Sequence, residues 1–303
     1  MGDWPCSKTS ERARDPSAAF AGGVPLLAGD AIDDLFAHAQ PMSKSGPFAL
    51  FRQGDWLLGI GRLSALSGIE PAARQLYREL FRATEGRHLA RIWNYVPAIN
   101  QAGPQGLENY RAFCVGRSHA FEQHHGAAFK LLVPAASAVG CTSSALTVVF
   151  AACQTRPRHV ENPAQVPAYD YPRQYGPRSP SFARATIVPG TAGGTIFISG
   201  TAAIRGHATI APAAIAGQLE CTLENLREIS TACGLGADFD AAGAVSRHFK
   251  VYVRHAADQP LVAAILGERL FTAGDRVSYL HADICREPLL VEIEVTLQGV
   301  RSA

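Results

Sequence analysis

The stretch Pro212–Cys233, PAAIAGQLECTLENLREISTAC, decides how the second half of the chain is read. Ile215, Leu219, Leu223, Leu226, Ile229 and Cys233 recur every three or four residues, one apolar stripe along a helix. Pro212 suits the first helical turn, where its missing N–H is no loss. Downstream the period falls to two. Val245–Arg254 reads as a strand, Pro260–Phe271 as a second helix, and Val277–Cys285 and Leu289–Gln298 as further strands. Upstream, Arg184–Val188 and Thr195–Ser199 read as two more. The same succession stands earlier in the chain: a strand-like run Phe48–Ile60, a helix Pro71–Thr84, a strand Ala90–Pro97, a helix Gln105–Gln123, and strands Ala128–Pro134 and Ala145–Ala152. Strands around two helices, met twice, imply an α+β protein. It would have two pseudo-duplicated α/β halves, each a mixed sheet with its helices packed on one face. The expected divisions are a lead-in over 1–44, an N-terminal half over 45–154, a loop over 155–182 and a C-terminal half over 183–303.

Composition narrows the function. The chain has 303 residues, 47% of them hydrophobic, and a net charge of +2, too little for a nucleic-acid footprint. Apolar runs stop well short of the roughly 18 residues that span a bilayer. The N-terminus, MGDWPCSKTSERARDPS, has no apolar h-region and is expected to be a mobile tail. Seven scattered cysteines without a C-x-x-C pair read as reduced thiols. The expectation is a cytoplasmic protein with no membrane or nucleic-acid partner. No phosphate-loop or dinucleotide fingerprint occurs, and no G-x-S-x-G elbow. HAFEQHH (119–125) does not match the H-E-x-x-H zinc pattern and reads as a polar helix end, so neither a metal nor a cofactor is expected.

Three segments carry candidate chemistry. In LLVEIEVTLQ, Val291, Ile293, Val295 and Leu297 share one face and Glu292, Glu294 and Thr296 the other. Two carboxylates on one face are either a solvated surface or, in an enclosed site, the source of a general acid with a raised pKa. Cys285 lies seven residues before Glu292, either as a small packed hydrophobe or as a second proton-handling group. In the second helix Tyr110 and Arg117 are spaced i, i+7, which brings them to one face about 10.5 Å apart. The 27-residue stretch Thr155–Ser181 holds six prolines, four arginines and three tyrosines. That is too long for a plain connector. Tyr169, Tyr171, Arg173, Tyr175 and Arg178, with Arg184 just after, form either surface decoration or a binding set for a small dianion.

Five runs in order, RIWNYVPAIN, GLENYRAFCVGRSHAFE, YDYPRQYGPRSPSFARA, FISGTAAIRGH and ADICREPLLVEIEVTLQ, resemble the chorismatase family over residues 45–300. The second half (FISGTAA, QLECTLENLREI, FKVYVRH, LLVEIEV) is also similar to the YjgF-type, chorismate-mutase-like deaminase fold. The resemblance implies cleavage of the enolpyruvyl ether of chorismate with release of pyruvate. It implies Glu292 as the acid, with Tyr110, Arg117, Tyr171 and Arg184 holding substrate. Glycine at Gly206 and cysteine at Cys285 resemble the 3-hydroxybenzoate-forming branch, with Gly206 giving the ring room and Cys285 assisting proton traffic. Hydrolysis to a dihydroxycyclohexadiene acid, a 4-hydroxybenzoate product and a non-catalytic metabolite-binding module are the alternatives. The carboxylate-holding arginine of deaminase relatives is expected to be absent near the C-terminal strands. Trimerising relatives leave both a homotrimer and a monomer open.

Overall fold

The computed structural model describes residues 22–30, 34–190, 193–211, 213–239 and 246–300; the readings of the N-terminal tail, Pro212 and Val245 lie outside them. A short strand β1 (Leu26–Gly29) and one helical turn (Asp34–Ala37) precede the first half. There follow β2 (Gln40–Ser45), β3 (Phe48–Gln53), β4 (Trp56–Ser64), α1 (Ile69–Ala83), β5 (His88–Pro97), α2 (Asn109–His125), β6 (Ala135–Cys141) and β7 (Ala145–Cys153). The loop carries β8 (Arg158–Val160). The second half has β9 (Ala185–Val188), β10 (Gly194–Thr201), a small hairpin β11 (Ile204–Arg205) and β12 (Ala208–Thr209), then α3 (Ile215–Ala232). It ends with β13 (Ser246–Val253), α4 (Gln259–Arg269), β14 (Arg276–His281) and β15 (Val291–Val300).

The duplication is visible in the topology. One sheet runs β2-β3-β4-β7-β5-β6 and the other β1-β14-β13-β15-β10-β9-β8. Strip the outer additions, and β3-β4-β7-β5-β6 has the connectivity and order of β9-β10-β15-β13-β14. In each half the strands joined through the second helix, β5 and β6 or β13 and β14, pair in parallel while their neighbours are antiparallel. Side-chain alternation divides the core into three layers. Ile92, Val148 and Phe150 point to Leu76, Leu80 and Phe121 on α1 and α2. Phe249, Val251, Ile293 and Val295 point to Leu219, Leu223, Leu226 and Leu266 on α3 and α4. The remaining faces meet each other, with Phe51, Leu58, Trp93 and Tyr95 against Phe197 and Tyr252. Phe197 sits edge-on to Trp56 and Trp93, with ring centroids 5.6 and 6.2 Å away.

Local structure departs from the sequence reading at several places. Phe48–Ile60 is a hairpin, because Gly54 takes φ +55° and reverses the chain between β3 and β4. The strand expected at Ala128–Pro134 lies later, at β6: residues Gly126–Leu131 form a 3₁₀ helix, and the small residues AASAVGC conceal a strand paired along β5. Within the lead-in, Leu26–Gly29 forms an edge strand of the far sheet beside β14. Inside the loop, β8 extends that sheet on β9.

Candidate active site

The halves are stitched together where β6, an edge of the first sheet, meets β9 and β10. Ala135 N–H donates to Thr186 Oγ1 (2.8 Å), Ala136 N–H to Ser199 Oγ (2.9 Å) and Ala183 N–H to the Pro134 carbonyl (3.1 Å). Over this seam lies a cavity of about 280 Å³. α2 supplies one wall, the proline-rich loop covers it, and the turn before β15 closes the end. Tyr110, Arg117, Tyr171, Arg184, Cys285 and Glu292 all line it, although they come from five separate segments.

Glu292 and Glu294 do share a face of β15, but both are buried, each 3% exposed, because that face meets the other sheet rather than water. Their surroundings differ. Arg91 donates to Glu294 Oε2 (2.6 Å), Trp93 Nε1 donates to Oε1 (2.7 Å) and Lys250 Nζ stands 3.4 Å away. Burial opposes ionisation of Glu294, but Arg91, Lys250 and the donors outweigh it and hold the carboxyl below its ordinary value. Glu292 Oε1 has no donor at all. Burial, then the charge of Glu294, push the Glu292 carboxyl up to about 8, against the pull of Arg91 and Arg184. At neutral pH Glu292 holds its proton.

Around this neutral acid stand uncompensated cations. Arg117 is 2% exposed, its guanidinium among the rings of Tyr77 (5.2 Å), Phe113 (5.9 Å) and Phe121 (5.6 Å). Arg184 donates to the Tyr171 hydroxyl (2.7 Å) and the Val166 carbonyl (3.2 Å). Arg286, over the Tyr175 ring at 3.9 Å, donates to the His207 carbonyl (2.8 Å). None of the three forms an ion pair with an acidic side chain among the described residues, and each leaves a buried nitrogen without an acceptor. Buried donors in native proteins are nearly always satisfied, so three orphaned guanidinium edges around one cavity fit an anionic ligand.

Arg286 corrects one expectation, since an arginine near the C-terminal strands does face the cavity. Its signal was faint, a single basic residue in a turn. Arg254 holds that turn in place, donating to the carbonyls of Leu289 (2.7 Å), Ile284 (3.2 Å) and Arg286 (3.1 Å). Burial raises the Cys285 thiol to about 12, with Glu292 adding to the effect, so it stays protonated. Tyr110 is likewise held well above its ordinary value, by burial first and then by the nearby Cys114 and Cys285.

Gly206 is a second correction. It is absent from the cavity lining, and a Cβ built there meets nothing within 4 Å. Its φ of +57° turns the β11–β12 hairpin, and its N–H and C=O bind Ala164 and Val166, anchoring the loop. The glycine that makes room at the acid is Gly200, where an added Cβ overlaps the Glu292 carboxyl. Gly200 lies in a bulge: Ile198 faces Val295 and Thr201 faces Ile293, so Ser199 and Gly200 together oppose Glu294. A glycine inside the strand-like run FISGT was the available clue. Elsewhere, Arg178 pairs with Glu122 at 3.2 Å, and Tyr169 faces a different cavity. His124 stacks on Phe81 at 4.4 Å, at the polar end of α2.

No described helix is long and apolar enough to cross a membrane. The family model described as chorismatase FkbO/Hyg5-like, N-terminal, matches residues 35–152. A 3-hydroxybenzoate synthase of Streptomyces hygroscopicus is 38% identical over 252 residues, covering 80% of this chain and 73% of its own length. A chorismatase of Streptomyces rapamycinicus is 39% identical over 277 residues, 86% of this chain and 82% of that one. A crystal structure of a chorismatase superposes with a TM-score of 0.77 at 36% identity, covering 85% of this chain and 80% of the other. With this level of identity sustained across both halves, the chain belongs to the chorismatase family.

Proposed function

We propose that this protein cleaves chorismate to pyruvate and 3-hydroxybenzoate. The observation that carries this reading is one protonated carboxyl, Glu292, with no donor on its buried oxygen, lining the same cavity as three arginines that have no acidic partner among the described residues. Chorismate is a dianion, and its two carboxylates leave water at acceptable cost only against fixed cations. Arg117, Arg184 and Arg286 supply these. Tyr171, whose oxygen already accepts from Arg184, turns its own hydroxyl proton toward the ligand, and Tyr110 closes the other side.

Glu292 then protonates the enol-ether methylene, generating an oxocarbenium ion and leaving a carboxylate among the guanidinium groups. The ring hydroxyl next to the ether gives its proton back to the Glu292 carboxylate and displaces the pyruvate oxygen, giving an arene oxide. Its opening and loss of the ring proton yield the phenol. Pyruvate and hydroxybenzoate together sum to chorismate, so this route consumes no water and needs no oxidant. A thiol that stays protonated makes Cys285 a neutral hydrogen-bonding neighbour of the reacting ring, not a nucleophile. The relative named 3-hydroxybenzoate synthase supports this product over the diene diol or 4-hydroxybenzoate.

The test supplies chorismate alone, follows pyruvate with a coupled lactate dehydrogenase, and resolves the ring product by chromatography. Pyruvate with 3-hydroxybenzoate is expected. Pyruvate with the diene diol overturns the product, and no pyruvate overturns the enzyme.

A further inference from the structure

A second cavity, of about 660 Å³, lies behind the first. The two share the Phe182–Arg184 segment as a wall, with Ala183 on this side and Phe182 and Arg184 on the other. They share α2 as well, since Ala120 lines the second cavity and Arg117 the first. Its lining includes five lysine and arginine residues, Arg78, Arg82, Arg87, Lys130 and Arg156, against Glu85 and Glu161. Glu79 pairs with Arg82 (2.7 Å) and Asp170 with Lys130 (2.6 Å), whereas Arg78 and Arg156 form no ion pair among the described residues.

Two histidines in the lining are held uncharged and one glutamate is held partly protonated near neutrality. Burial, and then His124 beside it, lower His125 to about 4; the rings of Phe81 and Phe121 cover its other sides. Burial, then Arg156 and His88, lower His159 to about 4, while its Nδ1 lies 3.0 Å from Thr186 Oγ1. Burial raises Glu161 to about 7, with Arg184 and a hydrogen bond to Tyr169 opposing and Asp170 adding. Glu161 Oε2 is buried without a partner. A bound multivalent anion opposes the lowering of the two histidines and adds to the raising of Glu161. It repays the histidines for ionising and gives a protonated Glu161 an acceptor.

We propose that this cavity is a second binding site, for a small multivalent oxyanion of the phosphate-ester or polycarboxylate class. The volume falls in the ordinary range for small-ligand pockets, about 300–1,000 Å³. Its concavity favours a compact ligand over an extended polyanion. None of its lining residues lines the Glu292 cavity, so the proposal stands or falls apart from chorismate cleavage. Binding takes up protons and weakens as pH rises through about 7, because an ionised Glu161 must regain its proton beside the anion or repel it.

The test is calorimetric titration of the full chain with sodium pyrophosphate and, in parallel, citrate. Titrations near pH 7 are run in two buffers of different ionisation enthalpy, and the affinity is measured again near pH 6 and near pH 8. Saturable 1:1 binding with net proton uptake is expected, about tenfold weaker at the higher pH. Tighter pyrophosphate assigns a phosphate ester, and tighter citrate a polycarboxylate. The double variant Arg78→Ser/Arg156→Ser changes two exposed side chains. It is expected to lose at least about tenfold in affinity while keeping its circular dichroism, as each removes a cation from the site. Arg117→Ala is expected to bind as the wild type does. Three results overturn the site: no saturable binding, binding without proton uptake, or binding that follows Arg117 and ignores Arg78 and Arg156.

Discussion

Glu292 and Glu294 stand two residues apart on one face of one strand and hold opposite protonation states. Arg91, Trp93 and Lys250 converge on Glu294, while Glu292, turned toward the cavity beside Gly200, receives no donor. The ionised member then raises the proton affinity of its neighbour. Carboxylates driven apart in this way mark an acid and its electrostatic support.

A pH profile follows. Glu292 is competent while protonated, so kcat/KM is expected to hold through neutrality and fall about tenfold per pH unit above about 8. A limb near 5 instead assigns the acid elsewhere.

Glu292→Gln is expected to lower turnover by about 10²–10⁴-fold, since the amide fills the same space but delivers no proton. Its stability tells the same story with the opposite sign. A carboxyl whose folded pKa lies above its unfolded value costs nothing below about 4.5, and its penalty grows as pH climbs toward 8. The variant is therefore expected to match wild type in denaturant unfolding near pH 4 and to exceed it near pH 8. The gain is at most about 3–5 kcal/mol. Equal stability at both values contradicts a buried, protonated Glu292.

Arg117→Ala, Arg184→Ala and Arg286→Ala are each expected to raise KM for chorismate. Losing a desolvated charged partner costs about 2–5 kcal/mol. Lysine is expected to restore only part of this, lacking the planar fork. If Arg286→Ala leaves KM unchanged, that arginine holds the loop and not the substrate.

Gly200→Ala and Gly206→Ala separate the two glycines. The first drives a methyl into the Glu292 carboxyl and is expected to cut kcat while leaving the fold intact. The second meets open space but forces a side chain to φ +57°. It is expected to cost about 1–2 kcal/mol of stability with the ratio of products unchanged. A change in that ratio in Gly206→Ala returns Gly206 to the ring-binding surface.

Cys285→Ala addresses the choice of product. With the thiol gone and Glu292 intact, the oxocarbenium ion still forms, and water has room to capture it. The diene diol is expected to rise relative to 3-hydroxybenzoate at equal pyruvate release. Lower stability with a constant ratio makes Cys285 a packing residue.

The primary structure alone determined the four long helices, most of the central strands and the duplicated plan, because these rest on periodicity. The stripe Ile215–Cys233 and the alternation Val291–Leu297 are local patterns, and they fell within a few residues of α3 and β15. The pair Tyr110 and Arg117 was equally legible, since a helix repeats every 3.6 residues wherever it packs. Contacts between the halves were not. Whether Glu292 met water or another sheet depended on Trp93 and Arg91, two hundred residues away, and only their arrival separated it from Glu294. β6 lies several residues beyond its expected place because alanine, serine and glycine have little strand character of their own, and its position comes from parallel pairing with β5. Gly206 and Gly200 are chemically identical letters six positions apart. One supplies a turn and the other makes space for a carboxyl, a distinction made only by a bulge against the last strand.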